Sequence, residues 1–285
     1  MMKIKYSVYL IVFVVSLRSS FGQFQLPDGV TATPSFLDEI RKNYAGENAY
    51  PFDLNTVSQT VKIPVRVHII KNRNGFAGVN LVDVNNSVSI ANSYFKNIGI
   101  RFFIDSVNYV NDYNYGYITN DSNTVELLTK FGLVNRINLF LADSVKKAPY
   151  RSYGYTYFPD VADSNYIFLD KNYITGNALT TLLGHFMGLL STHENLGGSE
   201  LASENNCATS GDYICDTYAD PDLYNKVDST CKYIGTARDN NGKYFVPSVA
   251  NLMSHSREDC KCIFSPLQYR RMYYYYLKYR QNLKY

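Results

Sequence analysis

Tryptophan is missing from this chain of 285 residues, while tyrosine occurs 27 times. Tyrosine suits half-buried strands and hydrogen-bonded helix faces, so the bias by itself implies no binding role. A second long apolar run is also missing. The one such stretch, at about residues 8–17, is shorter than the roughly 20 residues of a membrane helix, so no integral membrane span is expected. No internal repeat or low-complexity linker would split the chain into separate domains. Net charge is lacking too: the formal balance is only +3, from 28 basic and 25 acidic residues. Lys3, Lys5 and Arg18 lie in an N-terminal stretch without acids, which leaves the remainder formally neutral. Nucleic acid and anionic membrane surfaces are therefore not expected partners.

Lys3 and Lys5, the apolar run, and Ser20-Phe21-Gly22 before Gln23 have the layout of a secretory signal peptide over residues 1–22. Gln23, rather than cysteine, after the cut argues against a lipid anchor. The expected location is thus secreted or periplasmic, at the cell exterior, reached through a cleaved signal. The roughly 260 residues that remain suffice for one large domain with a real core. Residues 23–60 are polar, with Pro27-Asp28-Gly29 and Pro34 interrupting any long element, and read as a leader or pro-like segment draped on that domain. Cysteine is confined to the last third, at Cys207, Cys215, Cys231, Cys260 and Cys262. In an exported chain this favours two disulfides and one leftover thiol, and the spacings are too irregular for paired zinc knuckles.

Periodic segments, interrupted by one irregular region, make up the domain expected over residues 61–285. Ile63, Val65, Val67 and Ile69 alternate against Lys62, Arg66 and His68, which is a strand pattern, and His68 on the polar side needs no functional role. Apolar residues at 81, 84, 88, 91, 94, 95 and 98 form a helix stripe. Further strands are expected at 100–107, 137–142, 154–158 and 165–169, then a helix at about 178–190, an irregular cysteine-bearing region and a final helix. Ser265 can cap that last helix, Pro266 sits in its first turn and Gln268 can complete a capping box. Leu267, Arg271, Tyr274 and Lys278 share one line on it, and Met272, Tyr275, Tyr276 and Tyr279 offer a second surface, read as helix packing.

Residues 178–194 have the spacing of the zinc helix H-E-x-x-H-x-x-G-x-x-H but few of its side chains. With His185 as the second histidine and Gly188 as the glycine, Thr181 falls at the first ligand, Leu182 at the general base and Ser191 at the third ligand. Residues 211–221, running Gly211-Asp212, then Cys215-Asp216-Thr217-Tyr218-Ala219-Asp220-Pro221, look like a G-D-x-x-C-D-T-P-A-D-P loop with Tyr218 in place of proline. Asn251-Leu252-Met253-Ser254-His255 looks like an N-x-M-S-Y Met-turn with His255 for tyrosine, and 264–272 looks like a closing F-T-x-x-Q-x-x-R-M helix. In order and spacing, from about residue 63 to the end, the chain resembles the pappalysin family of metzincin zinc endopeptidases, in the form common among exported bacterial members.

That resemblance implies an α+β, metzincin-like fold: a twisted, mainly parallel five-stranded sheet with an antiparallel edge strand, two main helices and a disulfide-stapled C-terminal subdomain ending in a helix. Its upper part would span 61–188 and its lower part 189–285. It also implies that Cys207 pairs with Cys231 and Cys215 with Cys260, leaving Cys262 free. In an intact site, three imidazoles hold zinc and the glutamate takes a proton from zinc-bound water. Here Thr181 and Ser191 are poor ligands, Leu182 cannot accept a proton, and His185 alone remains, so Leu182 and Met253 with a neighbouring aromatic are expected to fill part of the pocket. The expected function is a pseudoprotease that binds a peptide or protein in its cleft, along an edge of Gly154, Tyr155, Thr156, Tyr157 and Phe158. No cofactor is expected on that reading. The alternative is an active zinc endopeptidase with a rebuilt site, in which His193 and His255 join His185. A third reading is a structural secreted protein without cleft function. Asp212, Asp216 and Asp220 offer oxygen ligands for calcium, although solvated turn residues explain them more simply.

Overall fold

In the computed structural model, residues 30, 32–43, 50, 57, 59–119, 122–147, 150–161 and 164–285 are described, and the expected signal peptide lies outside them. The alternating residues of β1 (Val61–Ile70) put this strand at the heart of the sheet, parallel to β2 (Ile100–Val110) on one side and to β4 (Ile137–Ala142) on the other. Beyond β4 come β8 (Tyr166–Asp170), also parallel, and β7 (Gly154–Thr156), antiparallel at the edge, giving the five-strand order β2-β1-β4-β8-β7. Helix α2 (Leu81–Phe95) carries the expected stripe, and it packs with α4 (Ala178–Phe186) on one face of the sheet in a core that includes Val88, Phe95, Leu139, Leu179 and Leu183. The fold is metzincin-like, mixed α and β with a mostly parallel sheet.

Several elements have no counterpart in the sequence reading. A second sheet of β3 (Tyr117–Thr119), β5 (Ser144–Lys147) and β6 (Tyr150–Ser152), together with α3 (Ser122–Phe131), closes the other sheet face through Tyr115, Leu127, Val145, Phe140 and Phe168. His68 therefore lies in a buried layer, stacked on Phe140 at 4.3 Å and hydrogen-bonded to Asn138 and Asn108. Burial pulls its pKa down to about 4, against the raising effect of Asn138.

Within the expected leader, Pro34 starts a helix rather than breaking one. It opens α1 (Pro34–Asn43), preceded by Thr33, whose hydroxyl accepts from the Phe36 amide at 3.1 Å. Phe36, Leu37 and Ile40 bury against Phe158, Leu190, Tyr213 and Tyr275, and Lys278 pairs with Glu39 at 2.8 Å. The final helix α5 (Pro266–Tyr275) has the Ser265–Gln268 capping box, and the chain continues through a π turn at Tyr276–Arg280. Tyr275 and Tyr276 are core residues, and the Arg271 guanidinium, fully buried, donates to the carbonyls of Asp212 and Tyr213 at 2.6 Å each.

The disulfides correct the expected pairing. Cys207 joins Cys215 and Cys231 joins Cys260, with Cα separations of 5.1 and 5.4 Å, so neither Cys207–Cys231 nor Cys215–Cys260 forms. The reason is local. Gly211 and Tyr213 take left-handed φ of 65° and 58° and fold the 207–215 loop back on itself. Cys231, also left-handed, ends a tight turn around Asp228 that packs on Cys260 and Leu223. Cys262 is exposed and forms no bridge. Among the described residues no helix is long and apolar enough to cross a membrane.

Candidate functional site

Every residue of α4 is buried, because the helix lies between the sheet and the turn-rich lower part. Thr181, 1% exposed, donates its hydroxyl to the Leu252 carbonyl at 2.9 Å, so it ties the helix to the Met-turn. Leu182 is fully buried, and its Cδ1 lies only 2.7 Å from where a Cβ on Gly154 would stand, which sets it directly beneath the edge strand. His185 Nδ1 donates to the Leu189 carbonyl at 2.7 Å, and its ring meets Phe158 edge-on at 5.8 Å. Gly188 has φ 94°, and a side chain there would run into the Tyr275 ring, so glycine is needed twice over to turn the chain toward Ser191.

Beneath the helix lies the turn read from sequence as a Met-turn, held by its own side chains. Asn251 Oδ1 accepts from the Met253 amide at 2.8 Å, and its amide group exchanges hydrogen bonds with Gln268 of α5 at 3.1 and 3.2 Å. Met253 Sδ comes within 2.7 Å of the site a Cβ on Gly184 would occupy. Leu182 and Met253 share the main core cluster, and Phe158 is the aromatic beside His185. Thr181, Leu182 and Ser191, read from sequence as the altered zinc-helix positions, are hydroxyl and apolar side chains that supply neither an imidazole nor a general base.

The other two histidines meet elsewhere. His193 and His255 meet with ring centroids 3.7 Å apart and planes tilted by 37°, and Nδ1 of His255 donates to Asp222 Oδ1 at 2.9 Å. One ligand atom from each of His193, Asp222 and His255 lies within 4.8 Å of the others, and His185 is not part of that group. Sequence reading missed Asp222, which sits one residue beyond the quoted loop motif. The available signal was the run Asp220-Pro221-Asp222, in which a second acid follows the proline. Asp222 adopts φ 66°, unusual for a residue with a side chain, and its carboxylate also accepts from the Tyr224 amide at 3.0 Å. Burial would raise its pKa, but the hydrogen bond and charge of His255 prevail and hold it well below the usual carboxylate range.

The acids singled out for calcium have separate tasks. Asp212 accepts from the Ile214 amide and the Thr217 hydroxyl at 2.9 and 3.0 Å. Asp216 accepts from the Ser265 hydroxyl and the Leu267 amide at 2.5 and 2.8 Å, anchoring the start of α5. Asp220 accepts from the Thr192 hydroxyl at 2.6 Å, and burial lifts its pKa to about 6 despite that bond. Glu200, His193, Asp220 and Asp222 line one cavity of about 240 Å³.

At the edge, β7 pairs with β8 only, and among the described residues no strand lies on its other side. Beyond it, Phe158 stacks on Phe36 of α1 at 4.6 Å, and the Tyr157 carbonyl faces Arg280 Nη2 at 3.4 Å.

A scan against protein-family models finds no match. The chain is 26% identical over 241 residues to an extracellular metalloprotease of Sordaria macrospora, covering 78% of this chain and 77% of that one. It is 25% identical over 283 residues to one of Arthroderma gypseum, covering 94% and 89%. The chain is similar to extracellular metalloproteases. Its fold matches a Tannerella forsythia promirolysin mutant with TM-score 0.56 at 16% identity, over 90% of this chain and 96% of that one. Mirolysin in complex with a compound gives 0.53, also at 16% identity, over 75% and 91%.

Proposed function

We propose that this protein is an exported metalloprotease homologue of pappalysin type that no longer hydrolyses peptides at its zinc helix and instead holds an extended peptide or protein segment in the cleft. The observation that carries this reading is Leu182, an apolar side chain fully buried where a general base would stand, packed beneath β7 at the edge of the sheet. Pairing along Gly154–Thr156 needs only backbone donors and acceptors, so it survives loss of zinc ligands. Phe158 is covered by Phe36 of α1, so the pairing we propose is confined to Gly154–Thr156. The metalloprotease names of the relatives, and the loop, Met-turn and closing helix, support the ancestry and an exported location.

Two measurements test it. Incubated with an unstructured protein substrate and zinc, the purified chain is expected to give no chelator-sensitive cleavage; such cleavage, abolished by His185→Ala, would overturn the reading. Hydrogen exchange at residues 154–156 is expected to slow on adding a peptide selected for binding. Peptide binding that leaves those amides unchanged removes the edge strand from the account.

A further inference from the structure

Three side chains that the altered zinc helix does not use converge in the lower part of the protein. His193 comes from the turn after Ser191, Asp222 from the loop after Pro221, and His255 from the end of the Met-turn. Their ligand atoms lie within 4.8 Å of one another, and no other group of three or more His, Cys, Asp or Glu side chains does so among the described residues. Two imidazoles and one carboxylate form the donor set that zinc takes in sites with three protein ligands and a fourth position left to water. Imidazole also selects against calcium and magnesium, which prefer oxygen alone.

The surroundings suit a cation. His193 and Asp222 face a cavity of about 240 Å³ that Glu194, Asp220 and Arg238 also line, which gives an ion a route to the three side chains. All three donors are partly buried, which limits the desolvation cost while leaving a route for the ion. His255 Nδ1 and Asp222 Oδ1 lie 2.9 Å apart, a spacing at which one ion can replace the proton shared between them. Asp222 is held in its left-handed conformation from two sides, by the Tyr224 amide on its carboxylate and by Lys226 Nζ on its carbonyl at 2.8 Å. Backbone strain retained at a side chain that faces two histidines is the arrangement expected of a positioned ligand.

We propose that His193, Asp222 and His255 form a binding site for a divalent transition-metal ion, zinc being the fitting probe, distinct from the position of His185 on α4. The site stands independently of peptide binding at the edge strand.

Calorimetric titration of the chelator-treated, purified chain with zinc chloride is expected to show one ion per chain. His193→Gln, Asp222→Asn and His255→Ala should each weaken binding tenfold or more, and His185→Gln should leave it as it was. Cobalt(II) titration followed by visible absorption gives a second readout, since an ion held by these donors acquires bands that His193→Gln removes. His193 is partly exposed, so its variant keeps the test decisive if His255→Ala fails to fold. Zinc affinity unchanged in His193→Gln, or lost in His185→Gln alone, overturns the assignment. Peptide binding measured on the same samples separates the two proposals: loss of peptide binding with zinc retained defeats only the cleft reading.

Discussion

Leu182→Glu, which restores the missing general base by sequence, is expected to destabilise the protein by about 4 kcal/mol and to yield no cleavage. The side chain is fully buried in the main core with Leu183, Phe186 and Met253, and its Cδ1 is pressed against the backbone of Gly154. A glutamate there gives up the burial of a leucine, about 1.5–3 kcal/mol, and also brings a carboxyl group into an apolar site without a partner, at about 2 kcal/mol or more. The carboxyl would remain protonated at neutral pH and so be unable to accept a proton. Against a typical stability of about 5–15 kcal/mol, the variant still folds, with a melting temperature lower by roughly 10 °C. Denaturant unfolding gives the stability and a fluorogenic protein substrate the activity. Wild-type stability together with chelator-sensitive cleavage would mean that position 182 opens onto a working cleft.

The parts of the fold written in local periodicity were legible. The β1 alternation, the α2 stripe and the Ser265–Gln268 capping box each depend on residues a few positions apart, and each appears where the pattern put it. The second sheet was not legible, because β3, β5 and β6 are 3 to 4 residues long and too short to show a period. Nor was the burial of His68, since the layer over its face is assembled from α3 and distant loops. Helix α1 was hidden by reading Pro34 as a breaker, although proline in the first turn sacrifices only an amide without an intrahelical partner. The disulfide pairing rested on likeness to other chains. It failed where left-handed residues such as Tyr213 and Cys231 reverse the backbone within a few positions. For the candidate site, the reading of Thr181, Leu182, His185 and Ser191 rested on motif spacing together with three further segments of family likeness. The partnership of Asp222 with His255 spans 33 positions and has no local signature.

Stability is expected to fall as pH rises from about 5 to 9, and Glu200→Gln to remove much of that slope. Glu200 is only 6% exposed, and neither carboxylate oxygen has a hydrogen-bond partner among the described residues. Burial, reinforced by the charges of Asp212, Glu204 and Asp220, pushes its pKa up to about 9. Burial likewise lifts Asp212 to about 7, against the lowering effects of Arg271, the Thr217 hydroxyl and the Ile214 amide. A carboxyl whose folded pKa lies above its unfolded one keeps its proton in the native state after the unfolded chain has released it. The native state therefore binds more protons across that window, and stability declines with pH at up to about 1.4 kcal/mol per unit for each group. The contribution is fully favourable below about pH 4.5, the ordinary glutamate value, and is used up near pH 9 for Glu200. Glutamine keeps the shape without the ionisation, so at pH 8 the variant should be more stable than wild type by on the order of 3 kcal/mol, and near pH 4.5 the two should be close. Urea midpoints at pH 5, 7 and 9 with chelator present measure the slopes, and parallel slopes for the two proteins would place the titrating burden on residues other than Glu200.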